Sequence, residues 1–158
     1  MASNTQIRVV INGAIESVKS VIPITAGVEK PTLIKQPFTA SQMGVLIELK
    51  GSIKGHIIIE GHNHVFSKIG EAMFGMSLEG EMLNSFTGEL GNMIAGNLST
   101  TISQKGMDMD ITPPALLNNQ PQLNSYDQAL SLPIHFPSAG TFKIILLIDN
   151  YSCKQNHL

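Results

Sequence analysis

One long stripe of apolar residues in the second half of the chain constrains the fold more than any other feature. Its members recur at spacings of three and four, the period of an amphipathic helix. Lys105 and Gly106 follow the stripe and are typical of a helix C-terminus. The stripe consists of Met82, Leu83, Phe86, Leu90, Met93, Ile94, Leu98 and Ile102. A helix this long needs another layer to cover its apolar face.

A similar stripe lies near the start of the chain and ends before Pro23, which cannot continue a helix. Its members are Ile7, Val10, Ile11, Ala14, Ile15, Val18, Val21 and Ile22. Apolar segments bounded by turn residues predict strands. These strands are expected at about 32–38, 43–49, 54–60, 109–112, 130–136 and 141–149. A shorter helix is expected at about 65–74, before Gly75.

The order of these elements predicts an α+β fold built from two units, each a helix followed by three strands. The units would cover residues of about 4–74 and 79–150, with a polar tail at 151–158. Two sets of antiparallel strands would merge into one sheet, with the long helices packed against one side. At 158 residues the chain is long enough for one domain with a sizeable core.

Composition excludes several classes of protein. Charged residues make up only 14% of the chain and the formal net charge is −2, without a basic cluster. Nucleic-acid binding is therefore disfavoured, because a positive surface is needed to neutralise phosphates. The longest apolar runs, such as 144–148, are too short to cross a bilayer. One cysteine, Cys153, and the absence of a signal-peptide pattern at the N-terminus predict a cytoplasmic protein.

The second long helix is expected to carry a polar stripe beside its apolar one. At 100° per residue, this stripe contains Ser85, Glu89, Asn92, Gly96 and Ser99. Glu89 and Asn92, three residues apart, would project side by side. Taken alone, such a pair also occurs by chance on many solvated helix faces.

Other candidate sites are weaker. His62 and His64 are close in sequence, but no cysteine or carboxylate cluster accompanies them as a metal site would require. Cys153 lies near the tail, where a catalytic thiol would lack a base. Glycines between residues 70 and 80 lack the Gly-Lys-Ser/Thr pattern of a phosphate-binding loop. We therefore expect no metal site in this chain.

The segment 85–97, SFTGELGNMIAGN, followed downstream by Pro113 and Pro114, resembles the CheC/CheX phosphatases of bacterial chemotaxis. Their motif is a Ser or Asp, then Glu, then Asn on one long helix, with a proline near the start of the following strand. CheC-type members have this motif on both long helices and CheX-type members on one. The first helix here has Asn12, Glu16 and Lys19 at the same spacing. Lysine offers no acceptor oxygen, so this helix is read as inactive and the chain as CheX-like.

The resemblance implies that the substrate is a phosphorylated CheY-like response regulator, which supplies its own Mg²⁺. It implies that Asn92 orients the attacking water and that Glu89 docks on the regulator's active-site lysine. Ser85, Gly96 and Ser99 would contact the partner. Pro113 and Pro114 are expected to shape the start of the strand rather than to touch the phosphate.

The resemblance leaves alternatives open. One is a non-catalytic CheX-like binding or scaffold domain in chemotaxis, flagellar or other two-component signalling. Another is a phosphatase for a regulator of some other two-component pathway. CheX-type members also associate as homodimers, which implies a homodimer here. The apolar final strand, 142–148, is expected to be the sheet edge that would accept a partner strand.

Overall fold

The structure is a computed structural model that describes residues 4–35, 43–116 and 128–148. It contains the helices α1 Asn4–Val21, α2 Asn63–Phe74 and α3 Gly80–Gln104. The strands are β1 Gly27–Val28, β2 Thr32–Lys35, β3 Met43–Gly51, β4 Gly55–Gly61, β5 Met109–Ile111, β6 Ala115–Leu116, β7 Gln128–Phe136 and β8 Gly140–Ile148. No helix within these ranges has the length and apolar character needed to cross a membrane. The predicted α+β class, with an antiparallel sheet and long helices, is confirmed.

The strands form one antiparallel sheet in the order β1–β7–β8–β4–β3–β5. β2 also pairs with β7, and β6 also pairs with β3. β1 and β2 of the first half therefore pair with β7 of the second half. β5 and β6 of the second half pair with β3 of the first half, so strands of the two halves alternate in one sheet. The boundaries of two repeated units, and a single domain spanning 1–158, remain predictions. The proposed tail at 151–158 lies outside the described residues.

The helices form a layer on one face of the sheet, where α1 and α3 pack against each other and α3 lies over β3 and β5. Two glycines allow these close approaches. An added Cβ at Gly13 of α1 would lie 2.8 Å from Leu98 of α3, and one at Gly91 would lie 2.5 Å from Val45 of β3. The apolar stripe predicted for α1 faces this core, which also contains Phe66 of α2. Most of the stripe predicted for α3 faces it too, but Met82 and Met93 are exposed, because they lie at the margin of the apolar face beside Glu89.

The expectation that β8 is the edge of the sheet is wrong. β8 pairs with β7 on one side and β4 on the other, so it lies in the middle. Side chains on both of its faces are buried, with Ile144 in the core beneath the helices and Ile145 in a smaller apolar cluster on the opposite face. A continuous apolar run is typical of a strand covered on both faces, and this is the physical reason for its central place.

Two short strands, β1 and β6, were not expected from the sequence. Each contains two residues, which is too few for an alternating pattern to be recognised. β6 nevertheless matters for the site, because it extends the edge of the sheet opposite α3.

Candidate functional site

The polar stripe predicted on α3 lies on the exposed side of that helix. Ser85, Glu89 and Asn92 are exposed, whereas Leu83 and Leu90 are buried beneath them. The helical period separates the two sets, since residues three or four apart share one face. The side chains of Glu89 and Asn92 therefore project from neighbouring positions of one face, as the spacing predicts.

The Glu89 carboxylate and the Asn92 carboxamide have no partner within the part of the chain that the structure describes. Neither side chain forms a hydrogen bond or an ion pair there. Two strong hydrogen-bonding groups on a rigid helix are thus available to another molecule. Their availability does not depend on breaking any internal contact among the described residues.

These two side chains border an open groove of about 580 Å³ between α3 and the edge of the sheet. One wall belongs to α3 and the other to the segment that includes β5 and β6. The residues that line the groove are Asn84, Ser85, Gly88, Glu89, Asn92, Ile111, Thr112, Pro113, Pro114 and Leu116. A groove with this mixture of amide, carboxylate and apolar groups is suited to a partner that presents both polar and apolar atoms.

The second wall is an edge strand that a bulge interrupts. β5 and β6 both pair with β3, but four residue steps separate Ile111 from Ala115 while three separate their partners Leu49 and Leu46. The extra residue occurs where Pro113 and Pro114 stand. Proline has no backbone N–H for a ladder and occurs at edges and bulges.

Thr112 closes the gap that this bulge leaves in the hydrogen-bond ladder. The Glu48 backbone N–H donates to Thr112 Oγ1 at 3.0 Å, and the Thr112 backbone N–H donates to the Glu48 carbonyl oxygen at 3.1 Å. The pair of bonds holds the diproline wall against β3. Thr112 carries no signal of this role in the sequence, because its importance appears only once the bulge and the neighbour Glu48 are known.

Glycines flank Asn92 one turn away on each side. A Cβ added at Gly88 or at Gly96 would meet no atom within 4 Å. Internal packing therefore does not require glycine at either position. Gly91, by contrast, faces β3 and lies against Val45. The surface around the Asn92 side chain is low, and a partner can approach the carboxamide closely.

Ser99 of the predicted face and its neighbour Asn97 make internal contacts. The Ser99 hydroxyl donates to the Met109 carbonyl oxygen, which ties α3 to the start of β5. The Ser17 hydroxyl of α1 donates to Asn97 Oδ1 at 3.0 Å, which ties α3 to α1. Ser99 is not among the residues that line the groove, and its contact with a partner remains a prediction.

The corresponding stripe on α1 lies on an exposed surface. Asn12, Glu16 and Lys19 are all exposed. His62 and His64 are also exposed, and no three His, Cys, Asp or Glu side chains within residues 4–35, 43–116 and 128–148 form a group that could hold a metal ion. The inactivity of α1 and the lack of a metal site in the whole chain remain predictions.

Comparison with known proteins agrees with the fold and with the family that the chain resembles. The family model described as chemotaxis phosphatase CheX matches residues 43–136, which include β3, β4, α2, α3 and the groove. The chain is also similar to the CheY-P phosphatase CheX of Thermotoga maritima. The two are 27% identical over 148 residues, which cover 91% of this chain and 96% of that protein.

Solved structures show the same fold. A chain in the CheX–CheY–BeF3–Mg²⁺ complex of Borrelia burgdorferi has a TM-score of 0.69 and 24% identity, with 90% of this chain and 96% of that chain covered. A CheC-like superfamily protein of Shewanella sp. PV-4 has a TM-score of 0.73 and 22% identity, with 90% and 98% covered.

Proposed function

The chain belongs to the chemotaxis phosphatase CheX family, and we propose that it hydrolyses the aspartyl phosphate of a CheY-like response regulator. The observation that carries the proposal is the pair of unpartnered, exposed side chains, Glu89 and Asn92, on one face of α3 beside an open groove. The similarity to a CheY-P phosphatase and to a chain crystallised with CheY supports this choice of substrate.

Asn92 is the proposed catalytic residue. Hydrolysis requires a water molecule to attack phosphorus in line with the departing aspartate carboxylate. The carboxamide oxygen of Asn92 accepts a hydrogen bond from that water and so orients it, while the amide N–H group donates to a neighbouring oxygen. Because the transition state is loose, positioning and charge neutralisation supply most of the acceleration.

The proposed reaction needs no covalent intermediate on this chain. One oxygen–phosphorus bond forms from water, and the bond between phosphorus and the aspartate oxygen breaks. The products are inorganic phosphate and a free aspartate of the regulator, and the protons of the attacking water remain with phosphate and solvent. Mg²⁺ supplied by the regulator would neutralise the phosphoryl oxygens, and this chain contributes the position of the water.

Glu89 is the proposed docking residue. Its carboxylate would pair with the lysine of the regulator's active site, which fixes the register in which Asn92 reaches the phosphate. Hydrogen bonds to charged groups contribute about 1.5–3 kcal/mol. Ser85, Gly96 and Ser99 are proposed as neighbouring contacts, with Gly96 contributing a low surface and Ser99 also holding α3 to β5.

A phosphate-release assay tests the activity. A CheY-like regulator is phosphorylated with a small phosphodonor, the donor is removed, and release of inorganic phosphate is followed with and without this protein. We expect the protein to accelerate release catalytically. Binding to the phosphorylated regulator without faster release would contradict the phosphatase and favour the non-catalytic scaffold.

The role of Glu89 has a matched control on the other long helix. Glu89→Gln removes the charge but keeps the shape, and we expect KM for the phosphorylated regulator to rise about tenfold or more, because a charge-assisted contact is lost. Glu16→Gln makes the same change on α1 and should leave KM unchanged. Equal effects of the two substitutions would show that Glu89 acts only through the overall charge.

Homodimerisation and a cytoplasmic location remain predictions. If two copies join their sheets, β8 is not the strand that pairs, because β7 and β4 already flank it. The outer strands of the described sheet are β1 and β2 on one side and β5 and β6 on the other. Sedimentation equilibrium would establish the mass in solution.

A further inference from the structure

In the described part of the chain, the exposed large apolar side chains are gathered around α3. Within the described residues, the large hydrophobic side chains that remain exposed lie on α3, at the α2–α3 connection or on the opposite groove wall. They are Phe74, Met76, Met82, Met93 and Leu116. Single exposed hydrophobic residues are common, but a group of them at one place is typical of an interaction surface.

These side chains are next to the Glu89–Asn92 pair. Met82 and Met93 fall on the same side of α3 as Glu89, at spacings of seven and four residues from it. The Phe74 ring packs edge-on against the Phe86 ring, with the two ring centroids 5.7 Å apart. Phe86 is one helical turn from Met82. We call Phe74, Met82 and Met93 the apolar rim.

The apolar rim and Leu116 lie on opposite sides of the polar pair. Leu116 lines the groove from the sheet edge and is 42% exposed. Met82 is 55% exposed and Phe74 62%. None of these side chains contributes its full apolar area to the core, so packing among the residues that the structure describes does not account for large hydrophobic residues at these positions.

A protein interface of ordinary size centred on Asn92 would also reach the apolar rim. Met82 and Met93 are eleven residues apart, which corresponds to about 16 Å along a helix at about 1.5 Å per residue. A stable protein interface buries about 800 Å² on each partner, which corresponds to a patch about 30 Å across. A protein that brings a phosphate to Asn92 therefore covers at least part of the apolar rim.

We infer that the apolar rim is a docking surface for the receiver domain of the regulator, seated on an apolar patch beside the regulator's phosphorylation site. This inference rests on the proposed function. It adds that the apolar rim determines the affinity for the regulator. Glu89 and Asn92 lie between apolar contacts that exclude water on binding, as polar groups do at the centre of an interface. Methionine is suited to such a surface, because its flexible side chain adapts to the partner.

The test uses Met82→Gln and Met93→Gln, with Asn12→Gln on the exposed face of α1 as the control. Each variant is first compared with the wild type by thermal unfolding, where we expect no change because these side chains are exposed. Binding is then titrated with a CheY-like regulator loaded with BeF3 and Mg²⁺, and kcat and KM are measured with the phosphorylated regulator.

We expect Kd and KM to rise about fivefold to tenfold for Met82→Gln and Met93→Gln, with kcat at saturation unchanged, because these contacts are equal in the ground and transition states. Asn12→Gln should match the wild type. Unchanged Kd and KM for both methionine variants, in a protein whose wild type is active, would overturn the inference alone.

Two further outcomes are decisive. A wild-type dimer that dissociates on Met82→Gln would show that a second copy covers the apolar rim, which would also overturn the inference. A wild type that binds the regulator without releasing phosphate would contradict the proposed activity, whereas weaker binding by Met82→Gln would still support the docking surface.

Discussion

Asn92 lies between two glycines that face open space, and this setting determines how closely another molecule can approach its carboxamide. Gly88 and Gly96 are one helical turn away on either side, and no atom lies within 4 Å of a Cβ placed at either position. Glycine inside a helix costs about 0.5–1 kcal/mol relative to alanine. No packing contact among the described residues compensates for this cost, so access to Asn92 is its proposed benefit.

Gly88→Ala should therefore make the protein more stable and less active. We expect the free energy of unfolding to rise by about 0.5–1 kcal/mol, which denaturant titration would measure. The added methyl group lines the groove and holds the regulator away from Asn92. Because a 1 Å misplacement can reduce a rate about 100-fold, we expect kcat/KM to fall at least tenfold.

Gly91→Ala is the matched control on the same helix. Its Cβ would lie 2.5 Å from Val45 Cγ2, so it should destabilise the protein through overpacking. A Gly88→Ala variant that is fully active, or that is destabilised as Gly91→Ala is, would contradict the proposed role of the open face.

The sequence predicted which residues share this face, but it did not distinguish between their surroundings. The spacing of Ser85, Glu89 and Asn92 places them together on any α-helix. Gly91 and Gly96 appear equivalent in the sequence, yet one packs on β3 and the other faces solvent. Such a difference depends on the position of the helix on the sheet, which local spacing does not encode.

The interrupted strand formed by β5 and β6 positions the second wall of the groove. Its proline pair leaves the Glu48 N–H without a backbone acceptor on the facing strand, and Thr112 Oγ1 takes that place. The same threonine donates its backbone N–H to the Glu48 carbonyl oxygen. The Thr112 side chain thus continues the hydrogen bonding to β3 at the bulge, between the paired segments β5 and β6.

Thr112→Val keeps the side-chain shape but removes this acceptor. We expect a loss of about 0.5–1.5 kcal/mol in the free energy of unfolding, the net value of one hydrogen bond. We also expect lower kcat/KM, because the Pro113–Pro114 wall is no longer held against β3. Chemical denaturation and the phosphate-release assay would measure the two effects.

Thr112→Ser restores the hydroxyl and should recover both stability and activity. If Thr112→Val retains wild-type kcat/KM while losing stability, the hydrogen bond is structural only. If Thr112→Ser is as impaired as the valine variant, restoring the hydroxyl is not sufficient, and the proposed role of this hydrogen bond is contradicted.

Long elements were predictable from the sequence, and their neighbours in the sheet were not. The apolar stripe of α3 and its end near Lys105 follow from local periodicity and from Gly106, whose φ is 85°. β6 contains two residues and is held by its partner β3, so it has no local signature. The order of strands is a non-local property, and the central place of β8 shows this clearly.

At the scale of the whole molecule, one carboxylate among the described residues, that of Glu60, is disfavoured by burial. Glu60 lies on β4, and its Oε2 atom is buried without a hydrogen-bond partner among the described residues. Burial raises the pKa of Glu60 above its ordinary value of 4.5, and the positive charge of Lys143 on β8 opposes this change. The folded state therefore holds the Glu60 proton more tightly than the unfolded chain does.

The contribution of Glu60 to stability should depend on pH. A raised pKa adds stability that is fully present below the ordinary value of 4.5 and is lost as the pH rises through the folded value. At pH 7 the ionised Glu60 thus destabilises the fold. Glu60→Gln should raise Tm at pH 7, and its advantage should disappear near pH 4.

Thermal unfolding at the two pH values would measure this difference. Glu16→Gln, which removes a charge from an exposed position, controls for the change in net charge. A Glu60→Gln variant with a lower Tm than the wild type at pH 7 would show that attraction to Lys143 outweighs burial.

Asn92 is the residue proposed to be responsible for turnover, and single-turnover dephosphorylation by Asn92→Ala tests that role without interference from docking. A phosphorylated CheY-like regulator is mixed with enough protein to saturate binding, and loss of phosphate is followed in time. We predict that Asn92→Ala binds with the wild-type Kd but dephosphorylates the regulator about 100-fold more slowly or worse. A wild-type rate at saturation would contradict this role of Asn92.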